Sequence, residues 1–471
     1  MRRASFKCSA VLLALVAALA ALHGCWWPFE SSSICVSQAQ WAAPKAGGTS
    51  PPITVENCGR GDFLRWQLEE TCEWLSLSRT SGNTPGSFTV EASPNMTGAG
   101  RSATITVSAQ GARGSPVTLS VTQGSRLFAG PRDYELGGSG NSICAADLHT
   151  SIDRDLIVAG HQMYLLKYDW MCGILAEPDI YTIDGWPVLP AVADLNGDGF
   201  EDIVLGIVQY TFSKVCVLLN NGHGAFPSVV TYETKCRGKP GNPVQVIAGD
   251  FDGDGMVDVA ASHAGCGFVA ILKNAGGGAL DAPLAYLAGL GAMDLVARDF
   301  DGDGDLDIAV AANGANTVAV IMNDGKGRFG WPKAYAVGQH PTSIASADLN
   351  RDGHDDLVVS VSGSRTVAAL MNRGDGTFMP AVSYEVEDNP VSVVTADFNG
   401  DWYPDVAAAN QGSGTVSILL NDRAGRFTLE GSYAVGGFPT ALVAVDLDLD
   451  DAPDLAVASD GKVSIFKNLI W

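Results

Sequence analysis

Asp299-Phe300-Asp301-Gly302-Asp303-Gly304-Asp305-Leu306-Asp307 is the stretch on which the reading of the chain turns. Five acids alternate with other residues, glycine breaks the middle, and an apolar run follows. Carboxylates this close repel one another strongly. Such a run is stable when water solvates it, or when a hard cation sits at its centre. Near-copies begin at Asp147, Asp194, Asp250, Asp299, Asp348, Asp397 and Asp446, and the last four intervals are each 49 residues. A tyrosine precedes each copy, at Tyr134, Tyr181, Tyr232, Tyr286, Tyr335, Tyr384 and Tyr433. From Tyr286 onward these too are 49 residues apart, as are Asn274, Asn323, Asn372 and Asn421. Three markers with one period identify a structural repeat.

One unit spans residues 335 to 384. Ser343-Ile-Ala-Ser-Ala347 leads into the acidic loop, Leu357-Val-Val-Ser360 follows it, and Thr366-Val-Ala-Ala-Leu-Met371 makes a third strand. Arg373-Gly-Asp-Gly376 is a hairpin turn, and Phe378 to Val386 a fourth strand. Four short strands per unit of this length match a propeller blade. The repeat region opens with a fourth strand, Leu127 to Leu136, and stops after a third, Lys462 to Asn468. Pairing these ends would leave no open sheet edge. The expectation is therefore a seven-bladed β-propeller over residues 126–471, closed by an N-terminal outer strand.

The repeats resemble FG-GAP/VCBS repeats, the class that builds the integrin α-subunit propeller and many bacterial surface proteins. The hairpins Gly-Arg-Phe329, Gly-Thr-Phe378 and Gly-Arg-Phe427 keep part of the FG-GAP signature.

Oxygen ligands at this spacing suit Ca²⁺. Positions one, three and five point inward, position seven offers its backbone carbonyl, and position nine closes the site. Four loops are complete: Asp194, Asn196, Asp198 and Asp202; Asp250, Asp252, Asp254 and Asp258; Asp299, Asp301, Asp303 and Asp307; Asp348, Asn350, Asp352 and Asp356. A sixth-blade set, Asp397, Asn399, Asp401 and Asp405, has Trp402 where the others have glycine. A seventh, Asp446, Asp448, Asp450 and Asp454, has Asp451 there. The carbonyls at position seven belong to Phe200, Met256, Asp305, His354, Tyr403 and Ala452. The first blade, with Asp147, His149, Ser151 and Asp155, is degenerate. About six structural calcium ions are expected. Twelve positive charges would offset part of the formal net charge of −23. That charge excludes a nucleic-acid binder, which needs a basic face.

Before the repeats, residues 35–125 alternate apolar and polar residues in short runs such as Ile53-Thr-Val55, Ala103-Thr-Ile105-Thr-Val107 and Val117-Thr-Leu119-Ser-Val121. This predicts a β-sandwich. Trp66, Trp74-Leu-Ser-Leu77, Ser81-Gly82, Asn95, Arg101 to Val107 and Val117 to Gln123 resemble the BACON domain, an immunoglobulin-like module of exported bacterial proteins. The resemblance implies either carbohydrate binding or a spacer. Trp66 and Trp74 sit in phase with the apolar face and read as core.

The N-terminus reads as an export signal over residues 1–25: a basic start, an apolar run from Ala10 to Leu22, then Leu22-His23-Gly24-Cys25. The last four residues resemble a bacterial lipobox. This implies lipidation at Cys25, a tether over 26–34, and an outer-membrane or surface lipoprotein. Secretory cleavage is the competing reading. Removing Cys8 and Cys25 leaves eight of the ten cysteines, an even number that suggests disulfides after export. Cys236 with Cys266 is the favoured pair, and Cys58 with Cys72 the next.

The face opposite the calcium loops binds partners in integrin-like propellers. Its candidates here are Trp186, Tyr210, Phe212, His263, His340 and Phe438. No catalytic motif emerges, with neither HExxH nor GxSxG present. The expected function is non-enzymatic adhesion or ligand binding by a monomer, the ligand being carbohydrate or protein. A calcium-dependent polysaccharide lyase or glycoside hydrolase, or a structural subunit of a surface complex, are the competing readings.

Overall fold

The computed structural model describes residues 34–469, except 38–39, 44–47, 58–63, 71, 73–74, 93–100, 110–111, 113–114, 124–126, 129, 150–153, 170–173, 209–212, 237–238 and 241–242. The export signal with Cys25, most of the tether, Trp74, Tyr210 and Phe212 thus lie outside the described residues. Among the described residues there is no α-helix, and no helix is long and apolar enough to cross a membrane. The chain divides into two compact units, Met1–Ser125 and Arg126–Trp471.

The first unit carries three small sheets. The largest has five strands, with Arg101–Ala109 at its centre between Val117–Gln123 and Arg65–Glu69. The alternation read from the sequence becomes alternating burial: Ile105 and Val107 are enclosed, as are Leu119 and Val121. Trp66 is fully buried at the centre of this core, beside Phe88. A Cβ at Gly82 would lie 2.5 Å from the Trp66 ring, so the backbone passes where only glycine fits.

The second unit contains seven four-stranded antiparallel sheets among its described residues. In the fourth, Ala292–Arg298, Asp307–Ala312, Thr317–Ile321 and Lys333–Ala336 pair in chain order. Burial falls from the second strand outward. All six residues of Asp307–Ala312 are buried, whereas Lys333–Ala336 is largely exposed. The second strand is apolar on both faces because both faces meet other sheets. This is why its sequence runs Ile-Ala-Val-Ala-Ala without alternation.

Each interface between successive sheets is a separate apolar cluster. Ala309, Val318 and Val320 of the fourth sheet meet Val359, Val361 and Leu370 of the fifth. Leu156 and Val158 of the first sheet meet Ala456, Ala458 and Val463 of the seventh. The seventh sheet takes its outer strand from the start of the unit. Arg132–Glu135 pairs with Lys462–Phe466, and Phe128 bridges to Asn468. The first strands of all seven sheets line one cavity of about 390 Å³, contributing Ile143, Leu189, Gln245, Asp294, Ser343, Ser392 and Ala441 among others. Around it, one strand's side chain accepts the next strand's backbone N–H. Ile344 donates to Asp294 Oδ2 at 2.9 Å, Val393 to Ser343 Oγ at 3.3 Å, and Leu442 to Ser392 Oγ at 3.3 Å.

Candidate metal centres

The acidic loops join first strands to second strands. Their shape comes from the position-one carboxylate, which accepts N–H groups from within its own loop. Asp299 Oδ1 takes the Gly302 N–H at 2.7 Å, and Oδ2 the Gly304 N–H at 2.9 Å. Asp194, Asp250 and Asp397 repeat both bonds. At position five, Asp303 Oδ1 accepts the N–H of Asp305, as Asp198, Asp254, Asp352, Asp401 and Asp450 do for Phe200, Met256, His354, Tyr403 and Ala452.

These bonds need left-handed backbone at positions four and six. Gly302 and Gly304 have φ of 81° and 93°. Position six carries glycine in four of the six loops, whereas position four also takes residues with ordinary side chains. Arg351 and Leu449 occupy position four with φ of 59° and 60°. The glycines Gly197, Gly253, Gly302 and Gly400 at the same place were the available signal.

Position nine is buried. Asp307 Oδ2 accepts the Phe300 N–H at 3.1 Å, and Oδ1 the Asn323 N–H at 2.8 Å. Asp202, Asp258, Asp356 and Asp405 make the same pair of bonds. Burial pushes Asp307, Asp356, Asp405 and Asp454 up to about 7 and Asp258 to about 6, against the lowering effect of these N–H bonds. The asparagine marker has its reason here too. Asn323 Nδ2 donates to the carbonyls of Phe251, 2.8 Å away in the preceding sheet's loop, and Leu306, 3.1 Å away in its own. Asn220, Asn274, Asn372, Asn421 and Asn468 tie successive loops in the same way.

Three loops gather carboxylates able to hold a metal ion, with ligand atoms within 4.8 Å of one another: Asp250, Asp252 and Asp254; Asp299, Asp301 and Asp303; Asp446, Asp448 and Asp450. The loops beginning at Asp194, Asp348 and Asp397 carry Asn196, Asn350 and Asn399 at position three. Asn196 and Asn350 donate their amide N–H to Asp198 and Asp352, each at 2.9 Å. Position nine is not among the three gathered groups. A hard cation fits this donor set, because Asp252 Oδ1 is buried with no hydrogen-bond partner. The first loop differs: His149 Nδ1 lies 2.8 Å from Asp155 Oδ2, so position three is bonded to position nine.

The candidate ligand face is corrected at one residue. His263 ends the strand Asp258–His263 and is only 1% exposed, because second strands are enclosed on both faces. It cannot meet a partner at the surface. Trp186 is 41% and Phe438 57% exposed. His340 is exposed, with its N–H donated to Asn316 Oδ1 at 2.9 Å. Not all cysteines are paired, since Cys144 and Cys216 are free thiols.

The FG-GAP-like repeat model matches residues 194–261, 299–359 and 397–457, and the model described as a putative binding domain, BACON, matches 64–124. No curated protein matches the chain. Solved structures do. BBS1N in complex with ARL6DN, soaked with lead, is 11% identical with a TM-score of 0.54, covering 73% of this chain and 97% of that one. Its mercury-soaked counterpart is 12% identical with a TM-score of 0.52, over 73% and 97%. A lectin of Agrocybe aegerita that recognises non-reducing terminal N-acetylglucosamine is 20% identical with a TM-score of 0.47, over 67% and 91%. At these identities the likeness concerns the fold alone. The all-β chain carries a BACON domain followed by FG-GAP-like repeats in a propeller-like arrangement.

Proposed function

We propose that residues 126–471 form a closed seven-bladed propeller, stiffened by calcium, on an exported, lipid-anchored and non-enzymatic protein that binds a carbohydrate or protein ligand outside the cell. Closure is supported by the seventh sheet's packing on the first and by the single cavity that all seven first strands line. The observation carrying the calcium reading is the loop geometry repeated in register, with carboxylates gathered at positions one, three and five. When bound, Ca²⁺ would neutralise these acids and clamp together the first two strands of a blade that holds it. The chain's own residues shape each site before any ion arrives, through the N–H bonds to positions one and five. Affinity in the range of about 10⁻⁴ to 10⁻³ M suits an extracellular module.

A binding role agrees with the repeats and with the BACON domain. The ligand face carries Trp186, His340 and Phe438, whose rings could stack on a sugar or anchor a protein. Among the cysteines, the disulfide-bonded state of Cys266 supports the pair with Cys236, whose side chain lies outside the described residues. Thermal unfolding with calcium and with EDTA tests the metal reading, and an unchanged midpoint would overturn it. A glycan array probed with and without EDTA tests the carbohydrate reading. Absence of any bound glycan under both conditions turns the search to protein ligands.

A further inference from the structure

The seventh acidic loop differs from the others in what its carboxylates face. Asp446, Asp448 and Asp450 gather as their counterparts do. Here, however, the Lys467 ammonium meets Asp448 Oδ2 and lies 3.4 Å from Asp450 Oδ2. It bridges positions three and five, two of the groups that must converge on a metal. Lys467 stands immediately before Asn468, at a place occupied in four other sheets by Leu219, Met322, Met371 and Leu420. The first and third sheets also have a lysine there, Lys167 and Lys273, and Lys167 turns to Asp179 of its own fourth strand at 2.9 Å. Lys273 reaches a single acid of its loop, Asp252, at 2.7 Å, and donates otherwise to the Lys326 carbonyl of the next sheet at 3.0 Å. Asp448 Oδ1 and Asp252 Oδ1 are both buried without a hydrogen-bond partner, so that feature does not separate the two loops. The bridging ammonium does.

We propose that Lys467 is the cation of the seventh loop, so that this loop takes no calcium and the protein binds one ion fewer than its six acidic loops imply. The inference rests on the calcium reading of the other loops. A tethered ammonium between two carboxylates competes for the oxygens a dication needs, and it repels the dication at short range. The location gives the exchange a consequence. Lys462–Phe466, the strand just before Lys467, pairs with Arg132–Glu135 from the start of the unit. Asp133 is held there by the Lys462 ammonium at 2.5 Å and by the Ser464 hydroxyl at 2.6 Å. The sheet that pairs the start of the unit with its last strand is therefore held by the protein's own cations. It stays shut when calcium is scarce, while the intervening loops loosen.

The test is a count of calcium bound per chain, by equilibrium dialysis against calcium chloride and elemental analysis, on the full chain and three variants. Asp303→Asn should lose one ion, which establishes the calcium reading independently. Asp448→Asn should lose none, and Lys467→Met should gain one. If Asp448→Asn loses an ion, the seventh loop holds calcium and the inference is wrong. If Lys467→Met folds and gains none, the ammonium is not what excludes the metal. Should Lys467→Met fail to fold, Asp448→Asn decides alone. A chain that binds no calcium, with Asp303→Asn unchanged, overturns both the calcium reading and this one.

Discussion

The Tyr433 hydroxyl accepts the Leu127 N–H at 2.7 Å, and its ring meets the Phe128 ring edge-on, with centroids 5.7 Å apart at 89°. Elsewhere the repeat tyrosine meets the hairpin phenylalanine of the next sheet: Tyr286 with Phe329 at 5.2 Å, Tyr335 with Phe378 at 5.6 Å, Tyr384 with Phe427 at 5.3 Å. Phe128 takes that phenylalanine's place from the other end of the unit. It also bridges to Asn468 as Phe329 does to Asn323.

Removing this contact should weaken the whole second unit. Phe128→Ala should cost about 3 to 5 kcal/mol in urea unfolding, as a buried aromatic does. Tyr433→Phe should cost about 1 kcal/mol, because the Leu127 N–H loses its acceptor. Losses no larger than the ~0.5 kcal/mol of a surface substitution would mean that the start of the unit does not hold the sixth and seventh sheets together.

Asn323→Leu should preserve volume and strip the Phe251 and Leu306 carbonyls of their donors. The expected loss is about 2 kcal/mol or more, since buried acceptors left unpaired cost their full desolvation. Asp324→Ala, in the exposed hairpin beside it, is the control, with a change of about 0.5 kcal/mol or less. Equal effects would refute the role of the asparagine as the tie between loops.

The position-nine carboxyls give the metal-free protein a pH dependence of definite sign. Their ordinary value is 3.8, and burial raises Asp307, Asp356, Asp405 and Asp454 to about 7. A carboxyl raised on folding binds its proton more tightly in the folded state. Its contribution to stability is complete below the ordinary value and is lost as pH rises through about 7. In EDTA, the midpoint of thermal unfolding should therefore fall between about pH 5 and pH 8. The increment produced by calcium should be larger at pH 8, where the carboxylates are ionised. Equal increments at both values would contradict this.

Trp402→Gly should stabilise the protein by about 1 kcal/mol in chemical denaturation. Trp402 has φ of 71° and is 75% exposed, so the indole contributes little packing to offset its backbone strain. Gly199, Gly255, Gly304 and Gly353 occupy the same place in other loops. A loss of stability would show that the indole makes contacts worth more than the strain.

Much of this architecture was legible because it repeats. The period of the acids, of the tyrosines and of the asparagines marks where the loops and strands of the repeat fall. A repeated unit must solve the same packing problem each time. What did not repeat was harder to read. His263 looked like a surface candidate because a lone histidine near a loop carries no burial signal, and only the enclosure of the second strand settled it. Arg351 and Leu449 hid their left-handed backbone behind ordinary side chains.

By itself the sequence determined the repeat, its strands and the residues able to ligate a cation, because backbone periodicity and ligand spacing are local properties written along the chain. Tertiary structure decided which groups face each other. Phe128 reaches Tyr433 across 305 residues, Asn323 reaches Phe251 across 72, and Lys467 folds back onto Asp448 and Asp450. Such pairings follow from how the sheets pack, and packing depends on distances between sheets that no local pattern specifies. The run from Asp299 to Asp307 names residues able to hold a cation. What else faces such a loop is decided by the neighbouring strand, as Lys467 is brought to Asp448 and Asp450.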